Sequence, residues 1–349
     1  MLVFIQHSGT ANFYYATGIK LESSYHIVGE RLNVLIVPDM EKERAARESK
    51  ADEVVSYSEI GYHERRKKMD ARTAFVESLK EFLRERGVTR VQIPPDFPAY
   101  IALNLNFSVE VVENPFLKKR AIKSKEEVEK IRESCIAAVK AFDFIRREIS
   151  REKMCEELRY AVELYLFQQG FIAEGTIVAS GKLTALPHFR GRGRIEEHVV
   201  VDIFPKSREH GYYGDFTRTV LLDGDSEIEE MLRVVIEAKQ KGIETVREGI
   251  TAKDVHNAVC DVIESYGYHT LRSKASEGFI HSTGHGVGLE VHEEPRIFEN
   301  DDVLKAGMVF TIEPGLYYRN VGGVRVEDTV VVGRGGCEVL TPYEDWVKV

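Results

Sequence analysis

The sequence predicts an α+β protein of two domains, a small α/β layer domain followed by a larger catalytic domain. Three observations predict it. At 349 residues the chain exceeds what one core ordinarily serves. Short apolar runs alternate with helical stripes through the first third. Beyond that, helices followed by strand-rich stretches occur twice, without the glycine fingerprint of a regular βαβ dinucleotide fold.

The front domain is read as residues 1–115. Residues 2–5 and 35–37 are apolar runs suited to buried strands. Within 70–86, Ala74, Phe75, Leu79 and Phe82 share one helical stripe, and Gly87 ends it as a glycine after a helix does. A strand at 91–93 stops at Pro94 and Pro95, because proline supplies no ladder donor. This part holds no phosphate loop and no nucleophile motif. The run NPFLKKRAIK interrupts the periodicity, and 116–123 is read as a linker. Its cations, Lys118, Lys119, Arg120 and Lys123, with Lys125 beyond, are read as a solvated approach to the next helix rather than a binding patch.

The larger domain, 124–349, opens with Ser124 and Glu127 at capping-box spacing. Ile131, Cys135, Ala138, Val139 and Phe142 form the stripe of the helix that follows. A second helix covers 151–169, with Leu158, Val162, Tyr165 and Leu166 on its packed side. Later helices span 226–247 and 252–266, the second starting from a capping box at Thr251 and Asp254. Strands are expected at 199–204, 216–222, 308–313 and 324–332.

Composition excludes several function classes. With 57 acidic and 48 basic residues, the formal charge of -9 argues against nucleic acid. No apolar window is long enough to span a membrane. The opening residues lack a signal-type core, so a cytoplasmic location is expected. Four scattered cysteines without a CxxC read as buried thiols, not a disulfide scaffold or a structural zinc site.

The chemistry gathers in the run HSTGHGVGLEVHEEP, which holds His281, His285 and His292, and in four carboxylates. Asp202 ends the run VVVD, and Asp215 follows thirteen residues later in GYYGDFTRT. The turn formers between them can fold the chain back and unite the pair; ordinary turn capping is the competing reading. Proline and glycine directly after Glu313 present it at a strand end. Arg325, Glu327 and Thr329 share a strand face by the two-residue period. Arg325 can hold a carboxylate there, with an exposed salt bridge to Glu327 as the competing reading. Like charge opposes crowding four carboxylates, and two divalent cations would neutralise them. Oxygen ligands with one imidazole suit manganese or cobalt, with zinc or iron also compatible. Such a pair could activate water and polarise an amide carbonyl.

On these motifs, between about residues 181 and 330, the chain resembles the creatinase/aminopeptidase P/prolidase metallopeptidases, peptidase family M24. The front-domain run NFYYATG extends a weaker resemblance over nearly the whole chain. The resemblance implies a pita-bread catalytic domain behind a smaller creatinase-like N-terminal domain. It implies two divalent metal ions per subunit, bridged by Asp215 and Glu327, with Asp202 on one and His285 and Glu313 on the other. It makes His188, His281 and His292 contacts of the substrate and reacting carbonyl, gives Glu313 a second role in proton transfer, and leaves Arg325 in support. The implied activity is cleavage before proline in short peptides, as an Xaa-Pro dipeptidase or alternatively an Xaa-Pro aminopeptidase, by a homodimer. A non-enzymatic peptide- or protein-binding module is the reading from another class. The run FRGRGRIEEHVVVD lacks the family's usual Gly-Asp pair. Its Arg190, Arg192 and Arg194 read as a solvated loop, with a substrate carboxylate as the other partner considered.

Overall fold

Six short strands of the first unit pair into one mixed sheet in the computed structural model, which describes residues 1–222 and 226–349. They are β1 (Leu2–His7), β2 (Tyr25–Gly29), β3 (Leu32–Val37), β4 (Glu53–Ser56), β5 (Arg90–Ile93) and β6 (Ser108–Val111). Their order is β4-β3-β2-β1-β5-β6. The first three form an antiparallel meander, and the last three join in parallel. Parallel partners need crossovers, which helices such as Ala71–Glu85 supply. That helix buries Ala74, Phe75, Leu79 and Phe82 as its stripe requires, and Asp70 caps its first turn. Gly87 follows at φ +69°, a conformation that suits glycine. This unit is Met1–Leu117, and a short helix, Phe116–Ala121, occupies most of the stretch read as a linker.

The second unit, Lys118–Val349, contains a four-stranded and a five-stranded sheet, each backed by a helix pair, and two short two-stranded ribbons. A two-residue ribbon joins β7 (Phe171–Ile172) to β10 (Lys206–Ser207). The first sheet comprises β8 (Ile177–Ser180), β9 (His198–Ile203), β11 (Phe216–Leu221) and β19 (Val347–Lys348), in the order β19-β11-β9-β8. Helices Lys125–Arg146 and Cys155–Gln168 lay Phe142, Leu158, Val162 and Leu166 against its Val199, Val201, Phe216 and Val220. Full burial of each such side chain stabilises the fold by roughly 1.5–3 kcal/mol. The Ser124 hydroxyl accepts from the Glu127 amide at 3.3 Å, and the Glu127 carboxylate accepts from the Ser124 amide at 2.8 Å.

The second sheet comprises β12 (Gly284–Gly286), β13 (Glu293–Ile297), β14 (Val309–Ile312), β17 (Asp328–Val332) and β18 (Cys337–Val339). Its order is β13-β12-β14-β17-β18, and β15 (Gly315–Tyr318) pairs separately with β16 (Gly322–Arg325). Helices Ser226–Thr245 and Ala252–Ser265 cover these strands through Met231, Val235, Val255 and Cys260. An isolated antiparallel bridge, Thr217 to Glu327, links β11 of the first sheet to the residue just before β17.

Three expectations need correction. The strand expected over 324–332 is two strands, because the chain leaves β15 at Arg325 and reaches β14 only at Asp328. The second helix starts at Cys155, after a turn from Ser150 to Lys153. The basic cluster is only partly solvated: Lys118, Lys119 and Lys125 are exposed, but Arg120 and Lys123 are buried against Glu293. Cys135, Cys155 and Cys260 are buried free thiols, and Cys337 is half-buried and free.

Candidate metal centre

The antiparallel register of β9 and β11 sets Asp202 opposite Thr217, two residues from Asp215. The segment between them therefore folds back, and both aspartates are buried. Asp215 immediately precedes β11, where its backbone carbonyl accepts from the Thr329 hydroxyl at 2.8 Å. Gly214 before it lies hard against the helix Lys125–Arg146, so that a Cβ would come 2.4 Å from the Cys135 nitrogen.

The remaining carboxylates arrive from the other sheet. Glu313 follows β14, and its amide donates to the Thr283 carbonyl at 2.8 Å. Glu327 sits in the gap between β16 and β17, with its amide on the Thr217 carbonyl at 3.0 Å. The Thr217 hydroxyl donates to its carboxylate at 2.6 Å. Behind Glu327, the fully buried Arg218 donates to its carbonyl at 2.5 Å and to Asp328 at 2.8 Å. Arg325, Glu327 and Thr329 all reach the centre although no continuous strand joins them.

His285 completes the cluster from β12. Its Nδ1 lies 3.2 Å from the Gly286 carbonyl, which fixes Nδ1 as the donor and leaves Nε2 as an acceptor. Nε2 is 3.3 Å from Glu313 and 3.7 Å from Asp215. Ligand atoms of Asp215, His285 and Glu327 lie within 4.8 Å of one another. Asp202 receives Arg325 Nη2 at 2.6 Å on one oxygen, while its Oδ1 is buried without a hydrogen-bond partner. A buried carboxylate oxygen with no protein donor is one that a cation would satisfy. The donor set, four carboxylates and one imidazole, fits hard or borderline divalent ions.

The electrostatics agree. Burial, then the charges of Glu327, Asp202 and Glu313, raise Asp215 well above the carboxylate range. Burial, then Glu313 and Asp202, do the same to Glu327. Burial lifts Glu313 to about 7, with Arg325 pulling downward and Asp202 adding to the rise. Without cations these acids hold protons more readily than free carboxylates do, and bound cations would displace them.

The three other histidines divide. His281 places Nε2 3.1 Å from the Tyr317 hydroxyl, which accepts from Arg325 Nη1 at 2.9 Å. Burial first, then Arg325, depresses His281 to about 3, so it is neutral at pH 7. The His292 ring lies edge-on to His285 at 4.1 Å and is depressed to about 4 by burial and then by His285. His188 is exposed, yet its charge acts on His281, His292 and Glu313, which places it at the rim. Arg190 instead pairs with Glu163 at 2.9 Å, and Arg192 and Arg194 are exposed.

Sequence reasoning missed Thr217 and Tyr317. Tyr317 links His281 to Arg325 and thence to Asp202. The signal was the Gly322-Gly323 pair: Tyr317 lies opposite Gly323 in the ribbon, where a Cβ would come 2.6 Å from its ring.

Residues 129–334 match the family model for metallopeptidase family M24, and residues 2–133 match the creatinase/prolidase N-terminal domain. An Xaa-Pro dipeptidase of Pyrococcus furiosus is 36% identical over 341 residues, covering 95% of this chain and 91% of that protein. The solved prolidase from Pyrococcus furiosus superposes with a TM-score of 0.83 at 33% identity, covering 98% of this chain and 96% of that one. An X-Pro aminopeptidase structure from Thermotoga maritima gives 0.82 at 26% identity, covering 99% and 97%.

Proposed function

The chain belongs to metallopeptidase family M24, and from that premise we propose that it is an Xaa-Pro dipeptidase (prolidase) that hydrolyses the bond before proline in short peptides. The observation that carries this is the buried four-carboxylate, one-imidazole cluster with His281 and His292 beside it. The Pyrococcus dipeptidase supports the substrate class, since its similarity runs through both domains. Two divalent cations per subunit, manganese or cobalt first and zinc or iron next, would be held by Asp202, Asp215, His285, Glu313 and Glu327. Bound there, they would supply Lewis acidity toward the peptide carbonyl and make water acidic.

The side chains do the rest. Neutral His281 donates from Nδ1 to the Ser282 carbonyl at 2.8 Å and so accepts the Tyr317 hydroxyl at Nε2, walling the substrate side of the centre, while His292 presents its ring to the scissile carbonyl and the proline side of the substrate. Glu313 takes the proton of the attacking water and returns it to the departing imino nitrogen. His188 meets the substrate at the rim, and Arg325 fixes Asp202 through a buried pair. We place the enzyme in the cytoplasm as a homodimer, acting on proline-containing peptides and not on nucleic acid. No helix among the described residues is long and apolar enough to cross a membrane.

A metal-by-substrate activity matrix tests this. Protein reconstituted with manganese, cobalt, zinc or iron should release proline from Xaa-Pro. Clear preference for Xaa-Pro-Yaa establishes the aminopeptidase alternative. No cleavage with any of the four metals, with peptide binding intact after D202A and E327A together, establishes a binding module instead.

A further inference from the structure

The basic run at the start of the second unit contains two cations that the proposed peptidase chemistry does not use. Arg120 and Lys123 have side chains 2% and 1% exposed, and both close on the Glu293 carboxylate, itself 3% exposed. Lys123 Nζ is 2.9 Å from Oε1, and Arg120 Nη2 donates to Oε2. Arg120 also reaches Glu290 at 2.9 Å, and the Glu290 amide donates back to Glu293 at 3.3 Å. The carboxylate is pressed beneath this turn so closely that a Cβ on Gly288 would stand 2.4 Å from it.

Burying three charges is a poor way to gain stability, because apolar residues of similar volume do as well or better. It is an effective way to fix one atom in space. Glu293 begins β13 opposite Gly286, the residue after His285, at a bulge in the pairing. Its predecessor is His292, an exposed ring at the end of the connecting loop, edge-on to His285. His292 is covalently joined to Glu293 at the point where the bend ends and the pairing to Gly286 begins, so pinning Glu293 fixes the backbone from which the His292 side chain leaves. The cations are themselves anchored, since the Lys123 amide bonds to the Gly307 carbonyl at 2.9 Å and Ile122 bridges to Met308.

We infer that Glu293, clamped by Arg120 and Lys123, is a positioning residue that holds the His292 ring over the metal centre. The inference rests on the reading that His292 meets the substrate. Lys123→Met leaves a neutral Arg120–Glu293 pair and is the milder variant, while Glu293→Gln removes the anchor. Each should lower kcat by about 10- to 100-fold through misplacement of the ring, with KM changed less than about 2-fold and metal content unchanged. In a His292→Ala background neither should cost anything further, because the two residues act through one group. Losses that multiply in the double variants, or full activity in both single variants, overturn the inference. If His292→Ala is itself as active as the wild type, the substrate role of His292 is wrong. The imidazole NMR signals of His292 then decide: shifted or broadened in Lys123→Met supports positioning, and unchanged overturns it.

Discussion

Tyr317 joins the substrate side of the centre to the ligand side with one hydroxyl. It receives Arg325 Nη1, whose other nitrogen holds Asp202, and it meets His281 Nε2. Tyr317→Phe keeps the buried ring and removes that link, and a hydrogen bond to a charged group contributes about 1.5–3 kcal/mol. The variant should lose about 10-fold in kcat, and its thermal midpoint should fall by a few degrees as the buried bond is lost. Steady-state kinetics beside calorimetry check this, and unchanged kcat would remove Tyr317 from the proposed mechanism. The five proposed ligands could be picked out because turn chemistry exposes them: Pro314 and Gly315 after Glu313, glycines flanking His285. Tyr317 could not, since a tyrosine on an apolar strand reads as core, and its hydroxyl finds a role only once Gly323 lies opposite.

The β9–β11 hairpin is the element that makes a pair of Asp202 and Asp215, and its seat is the helix Lys125–Arg146. Gly214→Ala would drive a methyl group into the backbone of Ser134 and Cys135, which cannot yield as a flexible side chain would. Overpacking costs about 1–3 kcal/mol, with this rigid neighbour at the upper end. The expected outcome is a urea midpoint lowered accordingly and weaker metal binding by calorimetric titration; a variant as stable as the wild type contradicts the seating. Helix starts were legible at Ser124 and Thr251 because capping is local chemistry. The break at Val326 and Glu327 was not, since it is imposed by two different partner strands. Nor was the burial of Arg120, whose counter-ion lies 173 residues away.

For the whole molecule, the metal-free centre couples stability to pH. Asp215, Glu313 and Glu327 titrate above their unfolded values of about 4, so the folded state binds more protons than the unfolded state. Their contribution falls as pH rises, by about 1.4 kcal/mol per unit for each group protonated only in the folded state. His281, His285 and His292, depressed to about 3, about 4 and about 4, act in the opposite sense. They do so only below their unfolded value of about 6.5. Above that point the carboxyls act alone, Glu313 through about 7, with Asp215 and Glu327 raised in the same direction. Chelated protein should therefore lose stability between about pH 6.5 and 8, and saturating divalent cation should abolish the slope and bind more tightly as pH rises. Urea midpoints across that interval measure it, and a rising metal-free midpoint contradicts it. The bridge from Thr217 to Glu327 also orders events in time. It closes a loop of 110 residues, and Arg218 behind it needs the Glu344 carbonyl at 3.0 Å to hold its place. During synthesis, a nascent chain that has exposed Asp202, Asp215 and even the histidine run still has no finished cage. Metal capture is thus among the last steps of maturation, and a ribosome-bound chain stalled before Glu327 should leave free cation in solution.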